Sequence, residues 1–83
     1  MNSNNQNLIN QIIYRAKYRG TKEMDIFLSS FVNLIIYHLS YDELKDLSEL
    51  INLNDEQLMQ IYKDNKPTEY NIKIINKFRE FKI

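Results

Sequence analysis

Three features of this 83-residue chain predict an all-α fold, a compact five-helix bundle with short connections. Apolar residues recur at the spacing of amphipathic helices in each long segment. Residues that cap helices precede several of those segments. The chain contains one Gly and one Pro, too few for the many turns of a β-rich domain. Each segment is therefore interpreted as a helix.

Length and composition predict a single domain. A chain this short can bury only one hydrophobic core. Hydrophobic residues make up 43% of the sequence and include six Tyr and four Phe, which supply the apolar area for that core. We expect residues 1–83 to form one helical domain, with residues 1–5 as a flexible N-terminus.

The first two helices are predicted to meet at Gly20. The first spans about residues 6–19, and Gly20 then supplies the left-handed backbone that commonly ends a helix. Thr21 can cap the second helix, which spans about residues 22–37 and is the most apolar. The expected buried stripe of the first helix is Leu8, Ile12, Ile13 and Ala16. That of the second is Met24, Phe27, Leu28, Phe31, Leu34 and Ile35.

Capping signals also define the later helices. Ser40 and Glu43 form a capping box that opens a third helix at about residue 41. Asn54 and Gln57 repeat this spacing before a short fourth helix. Pro67 closes the next connection, and a last helix begins at about residue 69. The expected core residues of these helices are Leu44, Leu47, Ile51, Leu58, Ile61, Tyr62, Ile74, Ile75, Phe78 and Phe81.

Charge and targeting features indicate a water-soluble protein. The formal net charge is zero, and no apolar run has the roughly 18 residues needed to span a membrane. Residues 1–22 carry four cations and no acid, whereas residues 23–83 carry seven cations and eleven acids. An acid-free N-terminus can imitate a mitochondrial presequence, but here it continues into the first predicted helix. We therefore expect a cytoplasmic, bacterial-type protein without membrane insertion.

The residue inventory argues against an enzyme. The chain has no Cys and one His, His38, which is predicted to lie at the end of the second helix. The acidic pairs Asp42/Glu43 and Asp55/Glu56 fall in first helical turns, where they complement the helix dipole. No phosphate-binding loop or metal-ligand spacing occurs in the sequence. We expect no catalytic residue, no metal site and no stably held cofactor.

A basic cluster before Gly20 is the strongest candidate for a binding surface. On a continuous helix Arg15 and Arg19 lie one turn apart, with Tyr18 beside Arg15, and Arg and Tyr are enriched at interface hot spots. The alternatives are a solvated helical face and a nucleic-acid surface, and four cations on a neutral protein disfavour the latter. Gly20 has no side chain to hold a partner's backbone away, and Arg19 and Glu23 flank it with opposite charges.

The segment Arg19-Gly20-Thr21-Lys22-Glu23-Met24-Asp25 resembles the signature of the succinate dehydrogenase assembly factor 2 family, the SdhE-type flavinators. That signature is Arg-Gly-x-x-Glu-x-Asp between the first two helices. The resemblance covers about residues 11–82. The other matching segments are Tyr14-Arg15, Ile26-Phe27-Leu28 with Phe31, Leu39-Ser40-Tyr41-Asp42-Glu43-Leu44, Asn54-Asp55 through Leu58, and Lys66-Pro67.

The resemblance implies a five-helix, non-catalytic assembly factor or chaperone. Such a factor binds the flavoprotein subunit of succinate dehydrogenase, in some bacteria also of fumarate reductase, and promotes the covalent bond between FAD and a His of that subunit. FAD would belong to the partner, and this chain would act as a monomer without nucleic acid. By the same resemblance Arg19, Gly20 and Glu23 would contact the partner, with Asp25 and Arg15 in support.

Two positions depart from the family pattern, and one other class of function stays open. Many members have an Arg where this chain has Gln11, and many have a Trp in the fourth helix where it has Ile61. The first departure would alter a peripheral contact, and the second is interpreted as a core substitution. The alternative function is a generic helical adaptor or regulator unrelated to flavin.

Overall fold

The computed structural model describes residues 3–63 and 72–82, which form five α-helices and one short 3-10 helix. The helices are α1 (Ser3–Lys17), α2 (Lys22–Ile35), the 3-10 helix (Ile36–His38), α3 (Tyr41–Ile51), α4 (Asp55–Lys63) and α5 (Ile72–Glu80). The all-α prediction is confirmed. Pro67 and the predicted start of the last helix at residue 69 lie outside the described residues.

The predicted caps set the helix starts. Thr21 Oγ1 accepts a hydrogen bond from Met24 N at 3.3 Å at the start of α2. Ser40 and Glu43 form both bonds of the predicted capping box, at 3.2 and 3.0 Å, at the start of α3. The same reciprocal pair precedes α4, between Asn54 and Gln57, at 2.8 and 3.1 Å. These bonds satisfy amide groups that the first helical turn leaves without partners.

The helix ends differ from the predicted ones by a few residues. α1 begins at Ser3 and so includes residues 3–5, which we expected to belong to a flexible N-terminus. It ends at Lys17, two residues before the predicted end. α2 ends at Ile35 because the chain tightens there into a 3-10 turn, as often happens in the last turn of a helix.

One cluster of buried side chains lies between the helices. α1 packs against α2 and α3, and α5 packs against α3 and α4. The buried residues are Ile12, Ala16, Leu28, Phe31, Val32, Ile35, Ile36, Leu44, Leu47, Leu50, Ile51, Leu58, Ile74, Ile75 and Phe78. Most of the predicted stripes are buried or partly buried in this cluster. The exception is Leu34, which is 61% exposed.

Leu34 is exposed because of its angle around α2. The helix turns about 100° per residue, so Leu34 lies about 100° from Ile35 and outside the arc that Leu28, Phe31 and Ile35 present to the core. Val32, which was not predicted to be buried, completes that arc. The prediction for Leu34 was therefore wrong.

Aromatic side chains of α4 and α5 pack against those of α2. Phe27, Phe31, Tyr62, Phe78 and Phe81 form a chain of ring contacts with centroids 5.1–6.0 Å apart. The Tyr62 hydroxyl also donates a hydrogen bond to the Phe81 carbonyl oxygen at 2.5 Å. These contacts hold α2, α4 and α5 together. Among residues 3–63 and 72–82, no helix is long and apolar enough to cross a membrane.

Candidate functional site: the corner between α1 and α2

The chain turns between α1 and α2 at Gly20, at the surface of the molecule. Gly20 has φ +104°, a backbone conformation that side-chain-bearing residues rarely adopt. It is exposed, and a Cβ atom built on it would have nothing within 4 Å. The backbone conformation therefore accounts for glycine at this corner, and crowding within the chain does not. Space remains above it for another protein.

The Arg19 side chain points back into the molecule. Its Nε donates a hydrogen bond to Asp55 Oδ1 at 3.0 Å, and its Nη1 donates to the Ile51 carbonyl oxygen at 2.6 Å. Its Nη2 donates to the Leu53 carbonyl oxygen. The Arg19 side chain is 9% exposed as a result. Arg19 thus ties the corner to the connection between α3 and α4, more than 30 residues further along the chain.

This geometry corrects two expectations about Arg19. We expected Arg15 and Arg19 to project to one side of a continuous helix, but α1 ends at Lys17, so the helical spacing does not extend to Arg19. Arg15 is exposed and Arg19 is largely buried. We also expected the Arg19 guanidinium to be offered to a partner. Three of its N–H groups are instead used within the chain.

The two acidic residues of the signature differ in their surroundings. Asp25 is partly buried, and its Oδ1 accepts a hydrogen bond from Arg19 N across the corner at 2.5 Å. Glu23 is exposed in the first turn of α2. Asp25 is therefore placed to hold the corner in shape, whereas the Glu23 carboxylate is accessible beside Gly20. A contact of Glu23 with a partner stays a prediction.

Exposed aromatic residues extend from the corner along α1. Tyr14 and Tyr18 are 64% and 62% exposed, and their ring centroids lie 4.7 Å apart. Tyr14 lines a depression of about 500 Å³ between α1 and α3, together with Gln11 and Arg15. Gln11 therefore lies on the same surface as Arg15.

A further position singled out in the sequence, Ile61, lies in α4. Ile61 is partly buried against the core, and its carbonyl oxygen accepts a hydrogen bond from Arg79 Nε at 2.9 Å. Its neighbour Tyr62 supplies an aromatic ring on this helix, packed edge-on against Phe27 and Phe78. The prediction that Ile61 packs against the core is thus confirmed.

Two other titratable residues singled out in the sequence, His38 and Glu43, lie elsewhere on the bundle. His38 is exposed in the 3-10 helix and lines a depression of about 550 Å³ with Lys77 and Leu34, between the end of α2 and α5. The hydrogen bond from Ser40 N, followed by the contact with Lys73, lowers the pKa of Glu43 below its ordinary value. Within residues 3–63 and 72–82, no three His, Asp or Glu side chains are grouped so that they could hold a metal ion.

Sequence reasoning did not find the partners of Arg19. Asp55 was interpreted only as an acid that complements the dipole of α4, and it does lie in that first turn. The other two acceptors are backbone oxygens, which leave no residue-type signal in a sequence. The basic cluster, the neighbouring helix-ending glycine and the family signature all singled out Arg19, but none of them indicated its partners within the chain.

Comparison with known proteins gives one finding. A family described as the flavinator of succinate dehydrogenase matches residues 10–82, most of the chain. Searches of curated proteins and of solved structures find no match. The matched range contains the whole corner between α1 and α2 and every helix of the bundle except the first part of α1.

Proposed function

This chain belongs to the flavinator of succinate dehydrogenase family, and we propose that it binds the flavoprotein subunit of that enzyme and promotes its covalent flavinylation with FAD. The observation that carries the proposal is the exposed Gly20 corner inside the matched range. Gly20 is open to solvent, and Glu23 is accessible beside it. Such a corner lets a partner backbone approach closely. The flavoprotein subunit of fumarate reductase is a second proposed target.

In this proposal some corner residues contact the partner and others hold the corner in shape. Gly20 and Glu23 contact the flavoprotein, and the carboxylate of Glu23 accepts charge-assisted hydrogen bonds from it. Arg19 and Asp25 hold the corner in shape through the bonds they make within the chain. Arg15 lies exposed in the last turn of α1 and attracts acidic groups of the partner. Arg19 is thus a positioning residue in this proposal.

A helper without a catalytic group can still accelerate flavinylation. The bond-forming chemistry belongs to FAD and to the His of the flavoprotein, and protein groups supply positioning. If this chain binds the reactive conformation of the flavoprotein about tenfold more tightly than the others, the ratio of reactive to unreactive protein rises by that factor on saturation. The proposal therefore requires preferential binding and no reactive side chain of this protein. We propose that it works as a monomer in the cytoplasm and holds no FAD of its own.

In-gel flavin fluorescence tests this function. The flavoprotein subunit is produced without bound FAD and incubated with FAD, with and without this chain, and is then denatured so that only covalently bound flavin fluoresces. We expect several-fold more fluorescence at early times when the chain is present. Equal fluorescence at all times would contradict the proposal.

A pull-down from the native host separates this function from that of a generic helical adaptor. The proposed function requires a flavoprotein subunit as the main captured protein, and the Glu23→Gln variant should capture less of it. Main capture of a protein that has no flavin would instead support the adaptor.

A further inference from the structure

A shallow depression lies directly beside the corner, between the end of α1 and α2. Its volume is about 480 Å³. Tyr18 and Ile26, which are 62% and 49% exposed, form its apolar walls. Ser29 and Ser30 lie in it as well, and their small side chains leave the space unfilled. The remaining lining residues are Lys17, Asp25 and Asn33.

We propose that this depression receives an apolar side chain of the flavoprotein when that protein docks on Gly20, an inference that rests on the proposed function. The depression and the corner are continuous. Tyr18 lies two residues before Gly20, and Asp25, which lines the depression, accepts a hydrogen bond from Arg19 N. A backbone that approaches Gly20 therefore brings its neighbouring side chains over Tyr18 and Ile26.

The Tyr18 ring makes two contacts within the chain. The Tyr14 ring packs against it at 4.7 Å, and Lys17 Nζ lies 5.8 Å from its centroid. Ordered aromatic side chains lose little conformational entropy on binding, and tyrosine is among the residues that dominate interface affinity. The ring is thus suited to form one wall of a binding pocket.

The charged residues of the lining suggest one polar contact with the partner segment. Lys17 and Asp25 are the two charged residues that line the depression, and Asp25 Oδ1 accepts a hydrogen bond from Arg19 N. Lys17 is exposed, so a carboxylate near the apolar side chain of the partner segment can pair with it.

Calorimetric titration of the flavoprotein subunit with the full chain tests this inference. The double variant Tyr18→Ala/Ile26→Ser removes both walls of the depression. We expect it to bind at least about tenfold more weakly than the wild type, the effect of losing one strong interface anchor. The matched control is Tyr37→Ala/Leu34→Ser, which removes a tyrosine and an aliphatic residue that are 68% and 61% exposed outside this depression. The control should bind within about twofold of the wild type, and far-ultraviolet circular dichroism should show both variants folded.

The outcomes separate this inference from the proposed function. If the wild type binds and the Gly20→Arg variant does not, while Tyr18→Ala/Ile26→Ser binds as the wild type does, the depression is not part of the interface and only this inference is overturned. If the wild type does not bind the flavoprotein, both are overturned. If sedimentation shows a wild-type dimer that the double variant loses without any change in flavoprotein affinity, the depression joins copies of this chain, which also overturns the inference.

Discussion

At the scale of single residues, Arg19 and Gly20 have different tasks at the same corner. The Arg19 guanidinium donates hydrogen bonds to Ile51 O, Leu53 O and Asp55, so it fixes where the corner sits on the bundle. Gly20 has open space around it and leaves the corner accessible. The same dipeptide therefore combines a structural anchor with a surface suited to docking.

Replacing Arg19 with Met should lower the free energy of unfolding by about 2 kcal/mol. The change leaves two partly buried carbonyl oxygens and one carboxylate without their donor, and each such loss has a cost. Urea denaturation followed by circular dichroism measures the effect. Arg15→Met is the matched control, and it should stay within about 0.5 kcal/mol of the wild type because Arg15 is exposed. Equal stability of the two variants would show that the Arg19 bonds do not anchor the corner.

Replacing Gly20 with Ala should also destabilise the protein, by about 1–2 kcal/mol, although the added methyl group meets no atom within 4 Å. The cost comes from the positive φ of +104°. The same urea titration checks it. A variant as stable as the wild type would mean that the corner relaxes to a negative φ.

The local backbone geometry of the corner could be predicted from the sequence, whereas the distant contacts of Arg19 could not. The positive φ of Gly20 and the capping by Thr21 follow from residues that are neighbours in the sequence. The partners of Arg19 lie 32 to 36 residues away, and two of them are backbone oxygens. Residue types and spacing carry no information about such contacts, which depend on how α3 and α4 pack.

At the scale of helices, local caps mark the starts of α2, α3 and α4. Each cap is formed by residues three positions apart, so local sequence suffices to predict it. The residues at the edge of a helix's buried stripe are harder to predict from local sequence than its cap. Leu34 fits the helical spacing but lies outside the buried arc of α2, because the position of that arc depends on where α1 and α5 pack.

Leu34 is exposed whereas Phe31 on the same helix is buried, so replacing each with Ala should change stability by different amounts. Phe31→Ala should cost about 3–5 kcal/mol because it opens a cavity beneath the aromatic rings of Phe78 and Phe81. Leu34→Ala should change stability by no more than about 0.5 kcal/mol. Thermal or urea unfolding of both variants checks this. A large loss for Leu34→Ala would contradict its placement on the surface.

The capping box of α3 gives a pH-dependent contribution to stability. The pKa of Glu43 is lowered in the folded chain, first by the hydrogen bond from Ser40 N and then by Lys73 at 3.1 Å. A group whose pKa is lower in the folded state stabilises the fold above its unfolded pKa, and this contribution disappears as pH falls through the folded pKa.

Glu43→Gln should therefore be less stable than the wild type at neutral pH. The difference should shrink as pH falls below the ordinary range of a glutamate, because Gln can accept the hydrogen bond from Ser40 N but carries no charge toward Lys73. Urea unfolding at a series of pH values measures the difference. A gap that stays constant down to acidic pH would exclude the charge of Glu43 as its cause.

At the scale of the whole molecule, contacts between the described helices hold the Gly20 corner in place. The aromatic contacts hold α2, α4 and α5 together, and Arg19 joins the corner to the connection between α3 and α4. A docking element gains affinity when it is ordered before binding, because less entropy is lost. The fold class and the family were both predictable from sequence, whereas the depression beside Tyr18 was not, since it depends on how α1 lies against α2.

The flavinylation yield of Gly20 variants tests most directly whether this corner carries the function. The flavoprotein subunit is incubated with FAD and either the wild type, Gly20→Ala or Gly20→Arg, and covalent flavin is measured by fluorescence after denaturation. Ala and Arg carry the same backbone strain, so Gly20→Ala is the control for folding. We predict that Gly20→Ala retains most of the stimulation and that folded Gly20→Arg loses it. Stimulation by Gly20→Arg equal to that of the wild type would contradict docking through this corner.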